Sequence, residues 1–347
     1  ALTLRMHGAP QALDATAHLE ARWEGAPLVL DAAQQFTADD SGDVRSSGTF
    51  TLHPVALTYS DILARWVPAM KGSAFSGRLA VDGTTAGGSG RAWDGTARLT
   101  FADGVLTVPD QNLRLDGVHA GVELESIAAL RTAPSQRIGF SRMELNDIVV
   151  SDAEVRFRTA SSTVVHVEGA GFRVFDGSVT AEPFSLYFPD ADVALDLRMK
   201  DLDAGMLVRT FDLFNGTLSG RLQGRLPIGL LAGKPILGEG FLELQPGQPA
   251  QLSFDAAGLF TSGMPNASVL EKVNRLPHEL LEEALANLEL RHFRIDLFRR
   301  DRPDRPIEAV LGGVARTPRA EVPVELAVRL NGSVSEVIDF LVQLILL

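Results

Sequence analysis

Seven histidines, His7, His18, His53, His119, His166, His278 and His292, are the side chains of this 347-residue sequence best suited to metal ligation or proton transfer. None is paired at metal-ligand spacing, and no His-Glu-x-x-His run occurs. A serine nucleophile on a sharp turn needs Gly-x-Ser-x-Gly, and the Ser-Gly sites at Ser76 and Ser219 lack that elbow. Gly238-Glu-Gly240 and Gly169-Ala-Gly171 are too short for a dinucleotide fingerprint, and there is no phosphate loop. The acidic pairs Asp39/Asp40 and Glu282/Glu283 read as solvated faces. With no cysteine, disulfides, thiolate metal sites and cysteine nucleophiles are excluded together. These residues predict no enzyme, no metal and no cofactor.

Two local features remain. Arg291 to Arg305 holds six arginines against three aspartates in an otherwise acidic chain. Arg291, Arg294 and Arg299 could meet anionic headgroups or phosphate. The other reading is a hairpin turn whose charges neutralise one another. The second feature is the apolar segment 336–347, too short to span a bilayer. It must bury against its own sheet, a membrane surface or a partner chain.

Composition narrows the class. A net charge of −12 argues against nucleic acid, which needs a basic surface. Apolar residues make up 45 % of the chain, enough for a large buried surface. No apolar run reaches the length of a membrane helix, and no signal peptide is visible. The first residues already alternate like a strand, which suggests a piece whose targeting or anchoring part lies upstream.

The positioning elements are strands. Val193, Leu195, Leu197 and Met199 alternate with Ala194, Asp196, Arg198 and Lys200. Phe293, Ile295 and Leu297 alternate with Arg294 and Asp296, and Val324, Leu326, Val328 and Leu330 with Glu325, Ala327 and Arg329. This is the pattern of a sheet with one apolar and one solvated face. Ala102-Asp-Gly104, Phe175-Asp-Gly177, Phe188-Pro-Asp190 and Gln245-Pro-Gly247 read as turns between strands. Gly83–Gly95 is a linker or a long hairpin turn. Helix is expected mainly in an insert over 268–288, opened by a Ser268/Glu271 capping box.

The chain also repeats itself. Ala56–Trp66 followed by Ala74–Gly83 matches Lys200–Phe211 followed by Thr217–Gly224. Each reads as a strand end, a helical turn and a strand opening on Ser-Gly-Arg-Leu. Val324–Leu330 with Ser333–Leu341 is a weaker third copy. Recurrence of a mostly strand unit predicts an elongated antiparallel sheet with one long surface.

The ordered set Gly216–Ile228, Gly233–Gly240, Leu244–Gly247, Ala284–Leu290, Val310–Gly313 and Pro323–Gly332 resembles the C-terminal region of the YdbH-like proteins. These belong to the AsmA-like, bridge-type lipid transfer group of Gram-negative envelopes. The resemblance divides the chain into a preceding segment, 1–92, and a YdbH-like module, 93–347. It implies an all-β fold with a few short helices: an elongated, strongly curved antiparallel sheet forming an open trough with an apolar lumen. It implies a periplasmic protein, anchored in the inner membrane by an N-terminal segment, that moves phospholipid between inner and outer membranes without catalysis. Bound phospholipid or detergent is the only ligand expected.

On that reading Val193, Leu195, Leu197, Leu218, Leu222 and Leu242 line the lipid groove. Leu244, Leu252, Phe254, Phe293, Ile295 and Leu297 continue it. Aspartate at Leu195 or Leu222 is expected to block lipid while leaving the fold mostly intact. A small outer-membrane lipoprotein is the implied partner at the C-terminal end, docking on Val324, Leu326, Val328, Leu330, Phe340 and Leu341. The alternative is a structural or adhesive β-solenoid with a closed, packed interior. An outer-membrane barrel would need aromatic girdles, and the chain has three Trp and two Tyr.

Overall fold

The computed structural model describes residues 1–9, 11–23, 25–60, 71–188, 192–211, 216–231, 234–254, 286–297, 307–316 and 321–329. The fold is all-β and antiparallel, with one α-helix and one 3-10 turn among the described residues. It divides into two compact units. One comprises Ala1–Phe172 with Pro183–Asp190, the other Arg173–Glu182 with Ala191–Leu347.

The first unit is a meander of long strands. β1 (Leu2–Ala9), β2 (Ala12–Trp23), β3 (Ala26–Ala38), β4 (Val44–Ser60), β5 (Ala74–Gly88), β6 (Arg91–Val108) and β7 (Leu113–Ser126) each pair with the next. β8 (Arg131–Thr132) and β9 (Gln136–Leu145) both pair with β7, and β10 (Ile148–Ser161) pairs with β9. β11 (Val164–Val174) pairs with β13 (Phe184–Tyr187). Among the described residues no pairing returns to β1, so the meander does not close into a barrel.

These strands are too long to stay straight. Three ladder irregularities fall in one transverse band: between Leu52 and Val55 in β4, Ser76 and Arg78 in β5, and Phe101 and Gly104 in β6. Asp103, Gly117 and Asp152, all with positive φ, lie in the same band on β6, β7 and β10. A bulge inserts one residue and bends its strand. Aligned bulges on neighbouring strands bend the sheet along one line.

Ala102-Asp-Gly104, expected as a hairpin turn, is one of these bulges inside β6. Aspartate takes the left-handed conformation there, and the ladder resumes at Gly104. Gly83–Gly95 resolves into the end of β5, a two-residue turn at Ser89–Gly90 and the start of β6. The 92/93 position lies within β6.

The second unit builds outward in the same manner. β12 (Gly177–Ala181) pairs with β14 (Val193–Asp203), β14 with β16 (Arg221–Leu231), β16 with β18 (Gly240–Leu244), and β18 with β20 (Leu288–Leu297). β21 (Ile307–Arg316) and β22 (Glu321–Arg329) follow. β17 (Lys234–Leu237) folds back on β16, while β15 (Gly216–Ser219) pairs with β19 (Ala250–Phe254), which also pairs with β20.

Helix α1 (Ala204–Phe211) leaves β14 through Asp203, whose carboxylate accepts the Met206 amide at 2.7 Å. That is an N-cap, and it satisfies an amide that a helix start leaves free. Ala204, Leu207 and Val208 are buried. This is the strand–helix–strand unit expected from the repeat. Gly220, with φ +124, then separates β15 from β16 at the Ser-Gly-Arg-Leu step. In the other copies 61–70 and 333–341 lie outside the described residues. Of the expected insert, 268–285 lies outside them too, and Leu288 opens β20 as a fully buried residue. Leu288 alternates with Glu289 and Leu290, which is strand spacing.

Candidate functional site

Register fixes which side chains share a face, because directly opposed residues of an antiparallel pair point the same way. In the first unit Leu2, Leu19, Leu30, Leu52, Val81, Leu99 and Val122 form one row across seven strands. The next row on that face is Leu4, Ala17, Ala32, Phe50, Gly83, Ala97 and Leu124. Both rows are wholly apolar. Between them, on the opposite face, runs Thr3, His18, Asp31, Thr51, Asp82, Arg98 and Glu123. Over these rows the sheet therefore has one apolar face and one polar face.

The apolar face is half-covered over β3 to β7, where Leu30, Leu52, Val81, Leu99 and Val122 are neither buried nor fully exposed. It is open at β1, where Leu2 is 68 % and Leu4 59 % exposed. A monomer of closed core would bury such a row. Aromatic rings lie low on this face. Phe101 sits over Gly77 and stacks on Phe75, with ring centroids 5.2 Å apart and planes 14° apart.

The polar face is laced by hydrogen bonds and ion pairs. Arg98 meets Glu123 at 2.6 Å directly across β6 and β7. Asp31 takes His18 at 2.6 Å and His53 at 2.7 Å. The hydrogen bond from His18, then that from His53, holds the Asp31 carboxyl below its ordinary range. Asp31, followed by Glu20, raises His18. These groups are exposed or half-exposed, and no cluster of three or more metal-ligating side chains occurs among the described residues.

In the second unit β16 carries Leu222, Leu226 and Ile228 on one face, opposite Leu244 of β18 and Leu202, Leu197 and Leu195 of β14. Val193 continues the β14 side of that face. Leu242 pairs with Ile295, and Leu297 with Gly240. Phe293 pairs with Leu311, which pairs with Leu326; Ile295 with Ala309, which pairs with Val328. Leu218 pairs with Leu252, and Leu252 with Leu288. Phe254 stands opposite Gly216, and its side chain lies outside the described residues.

Depth differs along this face. Val193, Leu195, Leu244 and Leu297 are half-exposed, whereas Leu222 is 1 % exposed and Leu218 and Leu252 are also buried. Helix α1 packs on β15 and β14.

Arg294 lies on the other side of β20 from Phe293 and Ile295. It binds Glu243 at 2.7 Å and Asp296 at 2.8 Å, with its guanidinium 4.3 Å from the Phe241 ring centroid. Arg291 is exposed at the β20 ladder shift, and Arg299 lies outside the described residues. Val324 is buried on β22. The side chains of Leu326 and Val328, and all of Leu330, Phe340 and Leu341, lie outside the described residues.

The apolar rows of the first unit were missing from the sequence-predicted site, although the same alternation marks them. In β6, Ala97, Leu99 and Phe101 are odd-numbered and Gly104, Leu106 and Val108 even-numbered on one face. The bulge reverses the phase and breaks a simple period-two count.

A family model described as YdbH-like, intermembrane phospholipid transport protein YdbH, matches residues 28–247, more than half of the chain. No curated protein and no solved structure matches. No helix among the described residues is long and apolar enough to cross a membrane.

Proposed function

The chain belongs to the YdbH-like family of intermembrane phospholipid transport proteins, and from that premise we propose that its apolar sheet face is the path along which the lipid moves. The observation that carries the reading is the row Leu2–Val122, aliphatic across seven consecutive strands and only half-covered. Each methylene withdrawn from water onto such a face gains about 0.8 kcal/mol. A row of Leu and Val with no deep pocket holds an acyl chain by area alone, so sliding meets no single strong trap. The headgroup stays in water. No bond is made or broken.

The protein works between two membranes of the cell envelope. More finely, the proposal is a periplasmic bridge of a Gram-negative bacterium, joined to the inner membrane by a further segment and to a small outer-membrane lipoprotein at its C-terminal end. Among the described residues β22 pairs only with β21, and an added strand is one way a sheet takes up a partner chain. The position of β22 supports the docking site.

The test is to purify the protein without added lipid, extract it and identify bound lipid by mass spectrometry. Co-purified phospholipid in stoichiometric amount is the expected result. A folded, lipid-free protein that takes up none from vesicles would favour the closed structural solenoid instead.

A further inference from the structure

The apolar face of the first unit changes character from one end of its strands to the other. Where β4, β6 and β9 finish, it is dense: Tyr59, Val108, Leu113, Met143, Leu145 and Val150 are all buried. Where β3, β5 and β7 finish, the same face carries Gln34, Ser46, Thr85, Ser126, Thr132 and Gln136. Register places these on the apolar side: Gln34 opposes Gly48, Gly48 opposes Thr85, and Leu124, two residues before Ser126, opposes Thr132.

Half of this belt serves the chain itself. Ser126 accepts the Ala129 amide at 3.0 Å, Thr132 accepts the Thr159 amide at 2.8 Å, and Gln136 donates to the carbonyls of Ala133 and Pro134. The other half pins no turn. The Gln34 amide donates to the Ser46 hydroxyl, and Thr85 donates to the Gln34 carbonyl oxygen at 3.0 Å. Ser46 is 5 % exposed. An amide nitrogen carries two hydrogens and a hydroxyl one. The second Gln34 hydrogen and the Ser46 hydrogen are thus left aimed at no described acceptor. Three polar side chains on an apolar face, bonded to one another with two donors in hand, call for an acceptor. A methylene laid over them would cost their unmet hydrogen bonds.

We infer that Gln34, Ser46 and Thr85 form a subsite for the glycerol-ester region of a phospholipid, and that lipids lie in the first unit with one polarity. Ester oxygens rest at this belt, and chain ends point toward Tyr59 and Val150. The belt holds no cation, so it recognises the neutral ester oxygens and leaves the headgroup charge unread. The inference rests on the transport reading and adds an orientation to it.

Trp93 supplies a native reporter, because its ring lies over Gly87, two residues beyond Thr85 on the same face. The full chain with Trp23→Phe and Trp66→Phe keeps Trp93 alone. Adding Trp93→Phe and Phe75→Trp moves the reporter to the dense end. Each protein is loaded with phosphatidylcholine brominated near the ester end or near the chain ends, and bound phosphorus is counted.

Ester-end bromines should quench Trp93 and chain-end bromines the Phe75→Trp reporter, each with a preference of about fivefold, the ratio one net hydrogen bond supplies. Gln34→Leu with Thr85→Val should erase that preference, with circular dichroism confirming the strands, and Ser46→Ala should weaken it. Lipid bound with equal or reversed quenching overturns the orientation alone, as does a preference that survives in the folded double variant. No bound phosphorus in any protein overturns the transport reading and the orientation with it.

Discussion

The Phe101 ring lies directly over Gly77: a Cβ at residue 77 would stand 2.2 Å from its Cζ. The two belong to the same transverse band of bulges, and the ring is held there by Phe75. Glycine beneath the ring lets a large apolar group cover the bend without rising from the sheet.

Gly77→Ala should therefore lift Phe101 and break its stacking on Phe75. Overpacking of this kind costs about 1–3 kcal/mol. Denaturant unfolding should show that loss, and bound phospholipid should fall as the ring enters the groove. A variant with unchanged stability and lipid content would mean that the ring moves aside freely.

Leu195 and Leu222, equivalent in the sequence, separate in the structure. Leu195 is half-exposed and can place an aspartate near water. Leu195→Asp should fold, at a cost of about 1 kcal/mol, and lose most bound lipid. Leu222 is 1 % exposed. An unpaired carboxylate there should cost more than about 4 kcal/mol, so Leu222→Asp should fail as a folding variant and report nothing on transport. Circular dichroism with lipid extraction separates the two outcomes.

Arg294→Gln should leave bound lipid and its headgroup composition unchanged. Its partners Glu243 and Asp296 share the solvated side of β20, away from Phe293 and Ile295. Glu243 pairs with Arg294 across the strands and Asp296 along its own strand, both half-exposed, and pairs open to solvent contribute about 1 kcal/mol or less, so stability should shift little. Depletion of anionic lipid in this variant would restore the headgroup role considered for the arginine cluster.

The His18–Asp31 pair predicts a pH window. The His18 pKa is raised, so its contribution is full below the ordinary imidazole value and is lost as pH rises through the raised one. The Asp31 pKa is lowered, so its contribution is present above the ordinary carboxylate value and is lost as pH falls through the depressed one. The β2–β3 contact should be firmest from about pH 4 to about pH 6.5. An NMR titration should place the His18 midpoint above that of an unpaired imidazole, and Asp31→Asn should lower it toward the ordinary range, with Glu20 left to hold part of the rise. A midpoint unmoved by Asp31→Asn would show that the pair does not hold in solution.

Much of the second unit was legible because its strands alternate cleanly between Gly and Pro signals. Val193–Met199 and Phe293–Leu297 have the faces their spacing predicts, and Asp203 starts a helix where a capping residue stands before an apolar turn. The first unit was harder to read. Asp103-Gly104 has the composition of a hairpin turn, and only the pairing of β6 with both neighbours shows a bulge. Leu288 fitted a helical stripe by its i−4 and i−3 neighbours, and its partners Leu252 and Ala315 in the sheet decide otherwise. Gln34, Ser46 and Thr85 lie on three different strands, and their meeting depends on register, which local sequence does not carry.

The most direct test of the central claim is to map where the acyl chain lies. The full-length protein, loaded in cells with a phospholipid bearing a photoactivatable group in its acyl chain, is irradiated and digested, and adducts are located by mass spectrometry. Adducts should fall on Leu52, Val81 and Leu99 and spare Thr51, Asp82 and Arg98, their neighbours on the other face. Adducts spread equally over both faces, or confined to the polar one, would contradict an apolar lipid path.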